Sequence, residues 1–326
     1  MALPKLIVFD MDGVLIDVTG SYRETVRRSA SIFFLGAGGR ESLPDPLFPL
    51  HDLARLKRTG GLNNDWDLTC QVVSLLFALV DAPPHGKPAD PYACHHETIR
   101  ACDVSRLAAY LKSSTSPLMD LHERFGRRKD PFVADCYNLL KQIFQEVYLG
   151  PDLFRSTYRM EPRFSSGEGL IQRETLLVDE AVLADLSRRH ILAIATGRPG
   201  SEAAQPLGRF GLDRYFGLVL TLDDCLSEEE RIFREEGRRV SLGKPDPFML
   251  DAIPKRIGQA FEGAFYLGDM PDDMMAAKRS RTGYKGVGVA LSQVDSEGTL
   301  AEELTAAGAD HIIRSYPELR RIVDPD

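Results

Sequence analysis

Short apolar runs at Ile191–Ala195, Leu218–Thr221, Ala264–Leu267, Gly286–Ala290 and His311–Ile313 alternate with helix-like segments at Ala181–Arg189, Ser201–Phe210, Pro247–Ile257, Pro271–Arg279 and Gly298–Ala307. A strand that is apolar on both faces has to be covered on both, and a helix returning after each strand supplies the cover. The pattern predicts an α/β fold: a Rossmann-like, doubly wound parallel sheet with helices on both sides. Leu6–Phe9 has the same apolar character but lies far upstream. Between it and Ala181 the alternation stops. The stretch from Thr19 to Thr175 holds only helix-like blocks, at Ser21–Phe34, Asp65–Val80, His95–Lys112 and Phe132–Tyr148. Loops rich in Gly and Pro, such as Gly36–Pro49 and Ala82–Pro91, separate them. The first strand therefore belongs to the sheet, and an inserted helical domain parts it from the second. The expected organisation is an α/β core of residues 1–18 plus 176–326 and a helical domain of residues 19–175, within the reach of a 326-residue chain. The charged run Ser227–Arg239 reads as a solvated helix.

The formal net charge is −8, from 48 acidic and 40 basic residues, which argues against a nucleic-acid partner. A small phosphorylated molecule remains open, since a few local cations suffice to bind one. Five cysteines, Cys70, Cys94, Cys102, Cys136 and Cys225, form no CxxC pair and read as reduced thiols. Leu6–Phe9 is too short for a signal-peptide core, and Val72–Val80 is too short to span a bilayer. The expectation is a cytoplasmic protein with no membrane association.

Asp10-Met11-Asp12-Gly13 follows the first apolar strand. Two carboxylates two residues apart at a strand's end project to one side, and such like charges need a cation or a shared proton. Gly13 allows an immediate turn. Ligands of open α/β sheets sit beyond the carboxyl ends of the strands. Three further segments there carry reactive or phosphate-friendly groups: Thr196-Gly197-Arg198, Gly243-Lys244-Pro245-Asp246-Pro247, and Gly268-Asp269-Met270-Pro271-Asp272-Asp273.

These motifs, in this order, resemble the haloacid dehalogenase superfamily of Mg-dependent aspartyl phosphohydrolases, in particular the phosphoglycolate-phosphatase-like subfamily I with a helical C1 cap. The resemblance covers Lys5–Asp17 and Leu176 to the C-terminus, and the helical insertion lies where such caps are inserted. It implies Asp10 as nucleophile and Asp12 as acid and then base. Thr196 and Gly197 would bind phosphate oxygens, helped by the helix beginning near Ser201. Lys244 would offset the phosphoryl charge. Mg²⁺ would be held by Asp10, Asp269, the backbone carbonyl of Asp12 and, through water or by orienting Lys244, Asp273. Asp272 competes with Asp273 for that role. Arg198 touches phosphate or pairs with a surface acid.

Other candidates are plainer. His95-His96-Glu97 lacks the HExxH spacing. Trp66, Phe33, Phe34, Phe132 and Phe144 read as core of the helical domain, Gly36–Gly39 as a flexible loop, and Arg124, Arg127, Arg128 and Lys129 as a solvated basic turn. By the same resemblance, an acid at Asp12 argues against dehalogenation and phosphonate cleavage and for phosphate esters. A phosphatase of a small phosphorylated metabolite is the first reading. A phosphomutase, or a phosphometabolite-binding protein without turnover, are the alternatives.

Overall fold

The computed structural model describes residues 3–59, 62, 64–83, 90–292 and 298–325. Most of the loop expected at Ala82–Pro91 lies outside them. The chain divides into two compact units: Met1–Val18 with Glu174–Asp326, and Thr19–Arg173.

In the first unit the strands are β1 (Leu6–Phe9), β2 (Ile16–Asp17), β3 (Thr175–Leu176), β4 (Ile191–Ala195), β5 (Leu218–Leu220), β6 (Ala264–Gly268), β7 (Lys285–Val289) and β8 (His311–Ile313). Six of them form one parallel sheet in the order β5-β4-β1-β6-β7-β8. β1 is internal, and all four of its residues are buried. Leu6 and Val8 join Ala193, Ala195 and Tyr266 in a cluster completed by Met249, Leu250 and Ile253 of one helix and Ala276 and Ala277 of another. Ile7 and Phe9 point the other way, as alternation in a strand requires, and Phe9 meets Phe216 edge-on at 5.7 Å. The register aligns Phe9 with Ile194 and with Leu267. Asp10, Thr196 and Asp269 therefore leave the sheet together beyond the C-terminal ends of adjacent strands, which is what makes a site there possible. β2 and β3 form a separate antiparallel ribbon pairing Ile16 with Leu176 and Asp17 with Thr175. Neither strand was legible from such short segments.

The helical unit contains α1 (Tyr22–Phe33), α2 (Leu50–Arg58), α3 (Asp65–Phe77), α4 (Pro91–Ala101), α5 (Ser105–Ser113), α6 (Pro117–Phe125), α7 (Pro131–Asp135) and α8 (Tyr137–Tyr158). Its core is aromatic: Tyr22 stacks on Tyr148 at 4.3 Å and on Phe144 at 6.0 Å, and Phe33 packs against Phe34 and Phe132. Trp66 departs from the expected core, being half-buried with Lys141 Nζ 3.5 Å above its ring. The block expected at His95–Lys112 is two helices. Asp103 Oδ1 accepts from the Ser105 N–H at 2.7 Å, a side-chain bond that competes with the helix. The Gly38 N–H donates to Cys102 O, the Val104 N–H donates to Gly38 O, and Asp81 and Asp103 exchange backbone bonds, which hold the break. The same bonds order Gly38, so Gly36–Gly39 is not the free loop its glycines suggested. α2 and α6 lie in stretches with no helical block expected.

The remaining helices, α9 (Glu180–Ser187), α10 (Gly200–Arg209), α11 (Leu222–Glu236), α12 (Phe248–Ile257), α13 (Pro271–Arg279), α14 (Leu300–Ala306) and α15 (Tyr316–Val323), belong to the sheet unit. α11 covers most of the charged run and is largely exposed. No helix among the described residues is long and apolar enough to cross a membrane.

Candidate active site

Asp10 follows β1 directly, and its N–H donates to Leu267 O at 2.8 Å, which extends the ladder one residue past the strand. Asp10 is 7% exposed. Lys244 Nζ lies 2.8 Å from Asp10 Oδ1 and 2.8 Å from Asp273 Oδ1, so one ammonium bridges two acids. Burial pushes the Asp10 carboxyl up to about 7, with Lys244 pulling against it and Asp273 and Asp12 adding to it. Burial alone would lower Lys244, but Asp10 and Asp273 outweigh it and hold the ammonium well above its usual range. The site is thus short of positive charge for the acids it gathers.

Asp269, from the end of β6, completes the group. Carboxylate oxygens of Asp10, Asp269 and Asp273 lie within 4.8 Å of one another. Three hard oxygen donors at that spacing suit a divalent cation such as Mg²⁺. The backbone is shaped for them. Gly13 has φ +69°, and a Cβ there would lie 2.0 Å from Asp269 Oδ2. A Cβ on Gly268 would lie 2.2 Å from the Cβ of Asp273. Both glycines leave room that the carboxylates occupy. Between the two candidates in the first turn of α13, it is Asp273 that faces the cluster. Its Oδ1 also accepts from Tyr266 Oη at 2.9 Å, and its Oδ2 accepts from the Met270 N–H at 3.0 Å. Asp272 is buried outside that group. The Asp12 carboxylate is not part of the acid triad either.

Thr196 follows β4 and is 1% exposed. Its Oγ1 accepts from the Arg198 N–H at 3.2 Å, which leaves the hydroxyl proton to donate elsewhere. Gly197 is exposed, with nothing within 4 Å of where a Cβ would stand. The start of α10 differs from expectation: Asp223 Oδ2 accepts from the Gly200 N–H at 3.0 Å, so a carboxylate already caps this end. Arg198 is itself buried, with Nε 2.6 Å and Nη2 2.5 Å from Asp12 Oδ1. Nη1 and Nη2 each lie 3.1 Å from an oxygen of buried Glu174.

Glu174 and Tyr266 escaped the sequence reading. A tyrosine inside an apolar strand was the one available signal, since a buried hydroxyl needs a partner. Glu174 carried no signal. The other candidates have partners within the helical unit. His95 bonds Phe33 O at 2.9 Å, and Arg124 and Arg128 lie over the Phe125 ring.

A family model described as "Hydrolase: haloacid dehalogenase-like hydrolase" matches residues 4–281. Imidazoleglycerol-phosphate dehydratase of Phytophthora nicotianae is 23% identical over 311 residues, covering 94% of this chain and 48% of that protein. Pyrophosphatase PpaX of Halalkalibacterium halodurans is 27% identical over 132 residues, covering 40% of this chain and 51% of that protein. The chain spans about half the length of the curated relatives it matches. Among solved structures, a Northeast Structural Genomics Consortium target matches with a TM-score of 0.64 and 21% identity, covering 99% of this chain and 98% of the other. Phosphatase Tt82 from Thermococcus thioreducens matches with a TM-score of 0.52 and 21% identity, covering 92% and 99%. These two likenesses establish a shared fold.

Proposed function

We propose that this chain, which belongs to the haloacid dehalogenase-like hydrolases, is a Mg²⁺-dependent phosphatase that hydrolyses a small phosphorylated metabolite through an aspartyl-phosphate. The observation that carries the reading is the buried Asp10 carboxylate, 2.8 Å from Lys244 and grouped with Asp269 and Asp273. A carboxylate so placed is a nucleophile with its countercharge beside it. Asp10 attacks phosphorus, and the bond to the leaving oxygen breaks as Asp12 gives that oxygen a proton. Asp12 then takes a proton from water, whose oxygen attacks the aspartyl-phosphate, releasing phosphate and restoring Asp10. The Thr196 hydroxyl and Gly197 N–H hold non-bridging oxygens, and Lys244 offsets their charge. Asp10, Asp269 and the Asp12 carbonyl would hold Mg²⁺, with Asp273 behind them. Mg²⁺, when bound, supplies further neutralisation of the phosphoryl charge.

The relative named a pyrophosphatase agrees with phosphorus chemistry. We assign selection of the metabolite to the helical unit, acting as a cap. A reducing, cytoplasmic setting suits five unpaired thiols. The test is phosphate release from 4-nitrophenyl phosphate with Mg²⁺, with a chelator, and with Asp10→Asn. Chelation abolishes turnover, and the substitution lowers kcat by about 10³-fold or more, the scale on which loss of a catalytic nucleophile acts. Undiminished turnover by Asp10→Asn would refute the assignment.

A further inference from the structure

Arg198 is among the largest fully buried side chains of the molecule. A buried guanidinium needs a compensating carboxylate, and Glu174 supplies one through a two-armed contact at 3.1 Å on each arm. That pair alone neutralises the burial. Yet Arg198 also directs Nε and Nη2 to one oxygen of Asp12, at 2.6 and 2.5 Å. These contacts are shorter than those to Glu174, and their target is a partly exposed carboxylate, 28% accessible, that burial does not oblige it to meet. Both go to Oδ1, which leaves Oδ2 for another partner.

The far end of the arrangement is fixed as well. Glu174 O accepts from Arg209 Nη2 at 2.7 Å, and Arg209 lies on α10. The Arg198 backbone is held by its N–H to Thr196 Oγ1 and by its carbonyl, which accepts from the Leu222 N–H at 2.9 Å. A chain of charge-assisted contacts thus runs from α10 through Glu174 and Arg198 to Asp12.

We propose that Arg198, anchored by Glu174, is a positioning residue that holds the Asp12 carboxyl in the orientation from which it exchanges its proton with the leaving group. The proposal rests on the phosphatase reading above, in which Asp12 is the acid. An aspartate at an open turn samples several staggered χ1 states, whereas proton transfer needs one of them within hydrogen-bond reach. Two converging donors on Oδ1 select that state and leave Oδ2 for the transfer.

The test compares kcat/KM for phenyl phosphate and 4-nitrophenyl phosphate, two esters of similar size whose leaving groups differ in their need for a proton. kcat/KM reports the first chemical step, where that need is felt. Arg198→Lys keeps the charge but loses the fork. It lowers kcat/KM about 10-fold for phenyl phosphate, the worth of one hydrogen bond to a charged group, and about 2-fold or less for the nitrophenyl ester. In an Asp12→Asn background the same substitution has no further effect on either ester. The double replacement Arg198→Met with Glu174→Met removes both buried charges together. It repeats the leaving-group pattern and guards against a result that is only misfolding. Equal losses on the two esters, or losses that multiply with those of Asp12→Asn, overturn the positioning role. So does an unaltered Arg198→Lys enzyme where Asp12→Asn is impaired. An Asp12→Asn enzyme as active on phenyl phosphate as wild type, or a wild type inactive on both esters, removes the phosphatase reading and the positioning role with it.

Discussion

At the scale of single residues the site depends on side chains that are absent as much as on those present. Gly13 carries φ +69°, and Asp269 fills the space a Cβ would take. Gly13→Ala brings about 1–2 kcal/mol of left-handed strain and displaces that carboxylate. Its Mg²⁺ affinity, read by calorimetric titration, falls by about 10–100-fold, as when a ligand loses its support. Lys244→Met leaves Asp10 and Asp273 facing each other without the ammonium between them. Breaking a buried pair from one side costs about 3–5 kcal/mol, which urea unfolding would register. Asp10, Thr196, Lys244 and Asp269 were legible because each follows a strand or opens a phosphate-friendly turn. Asp272 and Asp273 were not separable, since both acids sit in the first turn of one helix and only the direction of α13 distinguishes them. Glu174 stayed hidden because its meaning lies in Arg198, which is 24 residues away and joined to it only by the fold.

At the scale of elements, local chemistry decided where helices stop. Asp103 ends the block that apolar periodicity would have carried from α4 into α5. Gly150, with φ 75° and ψ 169°, breaks α8, and a Cβ on it would lie 2.5 Å from Gly169 N. Gly150→Ala therefore destabilises the helical unit by about 1–3 kcal/mol, visible as a lowered thermal midpoint. α4 also contributes His95, whose pKa burial lowers below the ordinary value despite its bond to Phe33 O. The unfolded chain protonates there near pH 6.5, while the folded unit resists until lower pH. Between the two the unfolded state binds more protons, so stability falls as pH drops from about 6.5 through that window. Melts taken at pH 8 and pH 5 show a larger loss for wild type than for His95→Gln, and equal losses would disprove the assignment. The parallel strands were readable from their apolar runs. β2 and β3 were not, because two residues carry no period.

At the scale of the whole molecule, the antiparallel ribbon brings the chain's exit at Asp17 beside its return at Thr175. A segment leaving and returning side by side can be replaced by a tight turn. A protein in which a two-residue turn joins Asp17 directly to Glu174 is expected to melt cooperatively and to retain Mg²⁺-dependent hydrolysis of 4-nitrophenyl phosphate. An unfolded product by circular dichroism would show that the sheet unit requires the insertion. The internal place of β1 has a different consequence. Its amides are paired to β4 on one side and β6 on the other, and the Asp10 N–H itself is bonded to Leu267 O. Deuterium reaches such amides only when the sheet comes apart. The backbone that carries the proposed nucleophile is then expected among the last of the described residues to exchange, so Asp10 keeps its place for as long as the fold survives.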